Sequence, residues 1–400
     1  MSHVLVLGAG LMGPAIAGDI FRFGLADRVV ITDVDARRLR AATDYIRWAV
    51  GDAADGRLEA KPLDLRDRRA LVEEMRQADA VAGAYPVAMV REVTEAAVEA
   101  GTHLCDLTGS AEGFDVFAYD EPARRAGMVI LPGCGVAPGL TNVLAGQGAA
   151  RLDEPEEGVL YVGGLPAERL PPLEYRVVFS LDTVIDEYCA PVLIVQDGRT
   201  TVVPALDGLE ELTFPDPVGR CEAFYTYGLG TLARTGVELG YRYLAEKTVR
   251  YPGHRDKVLF LRECGLFSQE PVEVDGVRVV PRRVTAAVLE PLLRRGGEAD
   301  ITVLRAVVRG RKGGRRVEWV FEMVDRYDPV LRATSMARTT GYMCSVIVGM
   351  LLAGRIPERG VAPLERVFAD AGRYAELVRE LARRGIVVTE RSRELPGAEQ

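Results

Sequence analysis

Two groups of residues in this sequence have types and spacings suited to chemistry. The first is Gly8-Ala9-Gly10-Leu11-Met12-Gly13, which follows the apolar run His3–Leu7. Glycines in the pattern G-x-G-x-x-G have separate uses: a tight turn at Gly8, backbone close to a pyrophosphate at Gly10, and close helix packing at Gly13. The helix opening there turns free N–H groups and the positive end of its dipole toward phosphate. Asp33 lies 20 residues beyond Gly13, at the end of the strand-like run 28–33. A carboxylate there accepts the hydroxyls of an adenosine ribose and repels a 2′-phosphate, so NAD is expected over NADP. Arg37 and Arg38 soften that preference. Ligands sit at the carboxyl ends of parallel strands, which brings Asp64 and Leu65 to the adenine side and Ala84 and Tyr85 to the nicotinamide side.

The second group is Glu246-Lys-Thr-Val-Arg-Tyr-Pro-Gly-His254, a polar run closed by a Pro-Gly turn. His254 is a candidate general base near neutral pH. Lys247 or Arg250 suits a carboxylate. Glu222, close in sequence to Tyr225 and Tyr227, suits an ammonium, and Asp106, after a strand of the sheet, suits the nicotinamide ribose or an amine. Asn142 ends Gly135-Val-Ala-Pro-Gly-Leu-Thr-Asn142, a turn into a helix whose N–H groups suit an anion or a cofactor amide. Each has an ordinary alternative: an exposed strand carboxylate for Glu222, a solvated strand edge and turn for 246–254.

The elements that position these residues read as strands alternating with helices. Strands are expected over 28–33, 58–64, 78–84, 103–107 and 128–132, with helices over 14–23, 35–50, 66–77, 87–100 and 114–126 between them. That order implies α/β architecture, a doubly wound Rossmann-type parallel sheet. After a helix over 140–150 the pattern changes. Strands are expected over 156–163, 173–179, 190–196, 301–308 and 317–325, with a hairpin over 272–280 turning at Asp275-Gly276. This is an inserted α+β domain with a mainly antiparallel sheet. The expected division is 1–132 for dinucleotide binding, 133–332 for substrate and dimerisation, and 333–400 for helices returning to the first domain.

Length and composition narrow the classes. At roughly 150 residues per domain, 400 residues make two or three domains. A net charge of −8 leaves no basic field for nucleic acid. No apolar run reaches membrane-spanning length and the chain begins in a strand, so neither a membrane nor a signal peptide is expected. Six cysteines without a C-x-x-C pair read as reduced and cytoplasmic. Three histidines give no metal-ligand spacing, and no metal is expected. Only Lys61, Lys247, Lys257 and Lys312 are lysines, and Asn142 is the one asparagine. A bias that strips both residue types makes Lys247 and Asn142 worth testing.

Gly8–Gly13, Gly135–Asn142, Leu160-Tyr-Val-Gly-Gly164, Pro172-Leu-Glu-Tyr175, Lys247–His254 and Met336-Ala-Arg-Thr-Thr-Gly341 together resemble the saccharopine dehydrogenase-like family, in its lysine 6-dehydrogenase branch. The likeness runs from residue 1 to about 390 with the motifs in order. It departs at Thr226-Tyr-Gly-Leu-Gly230, where a Ser-Gly-Gly-type loop is expected, and at Gly133-Cys134, where Asp-Leu is expected. The resemblance implies a homodimer and NAD-dependent oxidative deamination of the side-chain amine of L-lysine, with release of ammonia. By residue type it implies His254 as base, Glu222 or Asp106 toward an ammonium, and Arg250 or Lys247 toward the carboxylate. The alternatives are a saccharopine or carboxynorspermidine-type C–N dehydrogenase, or an NAD-binding protein without turnover.

Overall fold

Short runs of Val, Leu and Ile alternate with amphipathic helices along the first 150 residues, and this alternation builds a parallel sheet. The structure is a computed structural model describing residues 1–109, 111, 113–177, 181–294 and 299–396. The first unit runs β1 (His3–Leu7), α1 (Met12–Arg22), β2 (Arg28–Asp33), α2 (Ala36–Val50), β3 (Leu58–Pro62), α3 (Arg68–Arg76), β4 (Ala80–Gly83), α4 (Val90–Ala100), β5 (His103–Asp106), α5 (Asp120–Arg125), β6 (Val129–Pro132) and α6 (Leu140–Ala150). Asp35 and Asp67 cap α2 and α3 through backbone N–H groups. In β1, Val4 and Val6 enter one core while Leu5 and Leu7 enter the other, so the sheet is buried on both faces. The strand order β6-β5-β4-β1-β2-β3 reverses direction between β1 and β4. That switch point is where such sheets open a crevice.

The inserted unit runs β7 (Glu154–Pro166), α7 (Leu181–Cys189), β8 (Val192–Gln196), β9 (Arg199–Val203), β10 (Glu210–Phe214), β11 (Gly219–Tyr225), α8 (Leu232–Glu238), β12 (Tyr243–Arg250), α9 (His254–Glu263), β13 (Val272–Val274), β14 (Val277–Val279), α10 (Pro281–Leu293), β15 (Asp300–Lys312) and β16 (Arg315–Arg326). Its large sheet is antiparallel except where β12 runs parallel to β7. The expected strand over 173–179 is a correction. Residues 171–174 form a turn and 175–177 are irregular, while 178 and 179 lie outside the described residues. Two prolines precede this stretch, and its side chains pack into a local core instead of a ladder. The expected helix over 114–126 is a 3-10 turn, Val116–Tyr119, followed by α5.

The last segment serves both units. Helix α11 (Ser335–Leu352) lies along α1, where a Cβ on Gly341 would come within 2.9 Å of the Ala15 Cβ. Strand β17 (Gly360–Val361) extends the first sheet beside β6. After α12 (Leu364–Val367) and α13 (Ala371–Arg383), β18 (Thr389–Glu394) pairs with β16 in the second sheet. Arg384 bonds Asp19 of α1 at 2.7 Å with both side chains fully buried. Among the described residues no helix is long and apolar enough to cross a membrane.

Candidate active site

The glycine turn leaves β1 at the switch point. Gly8 has φ +107°, and a Cβ there would stand 2.2 Å from the Ala84 carbonyl oxygen, so β4's exit and the turn are in direct contact. A Cβ on Gly13 would meet the Gly8 oxygen at 1.9 Å, which holds α1 tight under the turn. Gly10 differs: its Cβ would have nothing within 4 Å, and Leu11 beside it is exposed. Backbone at Gly10 and Leu11 is thus open to a ligand at the start of α1, as a pyrophosphate requires. Asp33 Oδ2 accepts the Ala9 N–H at 3.0 Å and Oδ1 accepts the Asp35 N–H at 2.9 Å. The carboxylate therefore shapes the turn, and its remaining lone pairs are available to a ribose. Asp64 and Leu65 follow β3 at the same edge, with Asp64 accepting the Arg66 N–H at 2.9 Å. These residues fit a nicotinamide dinucleotide.

At the next strand ends, Tyr85 and Asp106 are buried side by side. Burial, then the Asp106 charge, pushes the Tyr85 phenol well above its ordinary range. The Tyr85 hydroxyl makes no well-formed hydrogen bond and is an orphaned polar atom beside the glycine turn. Asp106 accepts the Thr108 and Gly109 N–H groups at 3.0 and 2.9 Å, one on each oxygen. Burial raises its pKa, and those N–H bonds oppose the shift. Asp106 thus shapes the turn after β5, as Asp33 shapes the glycine turn, and each of its oxygens keeps a lone pair.

The chemistry of the second sheet is decided by the alternation of β12. Glu246, Thr248 and Arg250 point to one face, with their cross-strand neighbours Leu160 and Val162. Those two leucine and valine side chains belong to the core shared with α6, α11 and the first sheet. Lys247 and Val249 point to the other face. Lys247 accordingly lies away from Arg250, where Nζ donates to the Gly208 carbonyl at 2.7 Å and to Glu210 at 2.5 Å. Its expected place in the site is corrected: it is a buried ion-paired strut above the Tyr225 ring.

Arg250 is buried, with Nε donating to the Tyr188 hydroxyl at 3.1 Å and Nη1 to the Val249 carbonyl at 3.0 Å. Its guanidinium lies 4.6 Å from the Tyr175 ring centroid. Among the described residues no carboxylate comes within ion-pair distance of it. The Tyr175 hydroxyl is buried without a partner. His254 is 1% exposed. Its Nδ1 stands 2.9 Å from the Leu173 carbonyl and its Nε2 3.0 Å from the Tyr188 hydroxyl. A carbonyl only accepts, so Nδ1 carries the proton and Tyr188 donates to Nε2. Burial, then the Arg250 charge, lowers the imidazole to about 3. His254 as a base near neutral pH is therefore corrected: it is a neutral acceptor that orients Tyr188.

Two further expectations change. Glu222 sits opposite Arg250 in the ladder, yet its two oxygens accept the Gly253 and Arg255 N–H groups at 2.8 and 2.6 Å. It caps the start of α9. Asn142 is 2% exposed. Its Oδ1 accepts the Gly139 N–H at 3.1 Å, and Nδ2 donates to Leu229 O, Thr231 Oγ1 and Glu365 at 3.2, 3.3 and 3.4 Å. Its amide is consumed in joining α6 to the loop after β11.

That loop, residues 226–230, links the two halves. A Cβ on Gly228 would lie 2.3 Å from Glu246 Oε2, and one on Gly230 would lie 2.9 Å from the Pro138 ring. The turn at 133–139 in turn meets the first sheet, where Cys134 N–H donates to the Asp106 carbonyl at 2.7 Å. Tyr227 is 37% exposed on this loop. Glu246 was outside the sequence expectations. It accepts the Thr226 hydroxyl at 3.2 Å, and burial followed by the Glu187 charge pushes its carboxyl well above the usual range. Glu187, half-buried on α7, is pushed up to about 7, mainly by burial and against the pull of Arg250. Glu246 stood inside the quoted polar run. Glu187 and Tyr188 had no local signal, because only folding brings α7 onto β12.

The parallel sheet, the open glycine turn and this polar cluster define an NAD(P)-dependent oxidoreductase. The family model "Saccharopine dehydrogenase C-terminal domain" matches residues 135–386, and "Saccharopine dehydrogenase NADP binding domain" matches residues 4–131. The chain belongs to the saccharopine dehydrogenase family, which points to a dehydrogenase acting on CH–NH bonds. Saccharopine dehydrogenase (L-Glu forming) from Saccharomyces cerevisiae has a similar fold, with a TM-score of 0.75 and 19% identity over 98% of this chain and 100% of the other. A quinate dehydrogenase from Corynebacterium glutamicum in complex with NAD matches 33% of this chain and 44% of its own, at 24% identity and a TM-score of 0.26.

Proposed function

We propose that the protein oxidises the side-chain amine of L-lysine with NAD, releasing ammonia and the 6-semialdehyde. The observation that carries this reading is the buried Arg250 guanidinium, which no carboxylate among the described residues approaches within ion-pair distance. Glu187 and the tyrosine ring offset part of the cost of burying this cation, and a substrate carboxylate in direct contact offsets more. Lysine brings one α-carboxylate to it. The Tyr175 hydroxyl and Glu246 supply further polar groups on the same side.

A nicotinamide dinucleotide, when bound, supplies the hydride acceptor. Gly10, Leu11 and the start of α1 would hold its pyrophosphate, and Asp33 its adenosine ribose. The amine must be neutral to lose hydride from its carbon, so a proton has to leave an ammonium of pKa about 10.4. Glu187, at about 7, has a pKa suited to take that proton. Arg250 orients the other end of the substrate. Water then adds to the imine carbon, and ammonia leaves as the carbonyl forms.

A second reading, oxidation of a secondary amine such as saccharopine, is favoured by the names of both family models. Saccharopine carries additional carboxylates and needs more cations than Arg250. The test is to incubate the enzyme with NAD or NADP and, separately, lysine, saccharopine or a carboxylated polyamine. NADH formation with ammonia from lysine supports the first reading, and glutamate from saccharopine the second. Binding of NAD with no turnover of any amine overturns both. Preference for NAD, abolished by Asp33→Ser, is the expected cofactor result.

A further inference from the structure

We infer that Tyr175 is a specificity-determining residue: its hydroxyl donates to the substrate carboxylate that Arg250 holds, so the two side chains together read one free carboxylate on the amine substrate. This role presupposes the carboxylate contact proposed for Arg250. Tyr175 is 4% exposed, and its hydroxyl is buried without a partner among the described residues. Other buried tyrosines are satisfied. The hydroxyls of Tyr241 and Tyr251 donate to the Ala145 and Pro166 carbonyls at 2.7 and 3.0 Å, and that of Tyr188 stands between His254 and Arg250. A phenol taken from water without a new bond is unfavourable, and a buried tyrosine hydroxyl ordinarily finds a partner. An acceptor on a ligand supplies the missing one.

The ring and its backbone are held in place. The Arg250 guanidinium lies 4.6 Å from the ring centroid, and the His254 imidazole meets the ring edge-on at 5.3 Å. The Leu173 carbonyl faces His254 Nδ1 at 2.9 Å, and the Val177 N–H donates to the Leu293 carbonyl at 3.1 Å. Glu174, just before Tyr175, has φ +48°, a left-handed conformation that is unfavourable for a residue with a Cβ. Such strain persists where the surroundings impose it, and it clusters at ligand clamps. The hydroxyl is thus a preorganised donor, which costs little to order when a ligand arrives.

The neighbours select an anion. Within the protein Arg250 uses Nε toward Tyr188 and one N–H of Nη1 toward the Val249 carbonyl, so donors remain on Nη1 and Nη2. The positive charge repels an ammonium from this end of the cluster and attracts a carboxylate. A carboxylate has about four acceptor sites on its two oxygens, so one such group satisfies Arg250 and Tyr175 together. Burial keeps the Tyr175 phenol protonated, and therefore a donor, against the pull of Arg250. A primary amide at the same place turns its own N–H groups toward these donors, and is rejected for that reason.

The test compares the full-length wild type with Tyr175→Phe in the presence of NAD. With L-lysine, loss of one hydrogen bond to a carboxylate should raise KM about tenfold and change kcat little. L-lysinamide has the same side-chain amine and no carboxylate. The wild-type preference for lysine over lysinamide in kcat/KM should therefore narrow about tenfold in the variant. Thermal unfolding without substrate gives a readout that needs no turnover. Removing an unpartnered hydroxyl should leave Tm unchanged or raise it, whereas removing one with a structural bond would lower it. An unchanged KM for lysine, an unchanged preference over lysinamide, or a lowered Tm would each overturn the role of Tyr175. A wild type that ignores lysine and oxidises saccharopine overturns the lysine reading alone. The same rise in KM is then expected with saccharopine, and an unchanged value there overturns the role as well.

Discussion

The Tyr188 hydroxyl stands 3.0 Å from His254 Nε2 and 3.1 Å from Arg250 Nε, so one phenol joins a neutral imidazole to a buried cation. Each group in this chain has one direction open to it. Arg250 donates to Tyr188, Tyr188 donates to His254, and His254 donates to the Leu173 carbonyl. The histidine therefore acts on the substrate side only through the position of Arg250.

Stability should report the buried histidine. The folded chain holds the imidazole at about 3, against about 6.5 when unfolded. Between those values the unfolded state binds more protons, so the contribution is present above pH 6.5 and is lost as pH falls through the window. The stability advantage of wild type over His254→Gln is expected to shrink by roughly 3 kcal/mol between pH 7 and pH 4. Urea titrations at a series of pH values measure it. A constant difference would mean that His254 is not held neutral.

Arg250→Met should raise KM for L-lysine about a hundredfold, the cost of one charge-assisted carboxylate contact. Activity on 1,5-diaminopentane, which has the same amine and no carboxylate, should change little. Steady-state kinetics on both amines checks this, and equal losses on the two would remove Arg250 from the carboxylate.

Asn142→Asp keeps size and shape but replaces a donor with a charge. Its Oδ1 contact to Gly139 survives, while the Leu229 carbonyl loses its donor and Glu365 faces a second carboxyl. A loss of about 2–3 kcal/mol is expected from the unsatisfied buried groups. Thermal unfolding monitored by circular dichroism measures it, and a neutral effect would contradict the assigned bonding.

Arg384→Met removes one partner of the fully buried pair with Asp19. Burial already raises the Asp19 carboxyl against the pull of Arg384. The single variant should lose about 3–5 kcal/mol, and the double variant with Asp19→Asn should recover a large part of it. Chemical denaturation of the three proteins tests the coupling, and additive losses would deny it.

Much of the fold was legible because its signals are local. The glycine turn needs only its own spacing and a strand before it, and alternating apolar runs place the strands of the first sheet within a few residues. The β13–β14 hairpin was legible for the same reason, from Asp275-Gly276 and four alternating valines. The 173–179 stretch was misread because an apolar run gives the same signal whether it enters a ladder or packs irregularly against α7 and α9. Strand β18, wholly exposed and charged, carries no apolar pattern and is held by pairing with a distant strand.

The sequence by itself determined the parallel dinucleotide sheet and the region around β12 where polar groups gather. It also marked Asn142, whose survival as the one asparagine is explained by an amide that must accept on one side and donate on the other. Only the tertiary structure decided which polar groups meet. Alternation along β12 sends Lys247 and Arg250 to opposite faces, and α7, more than 50 residues away in sequence, brings Glu187 and Tyr188 to Arg250. Residue type fixes what a side chain can do. Burial and neighbours, which arise between distant segments, fix its charge and its partner.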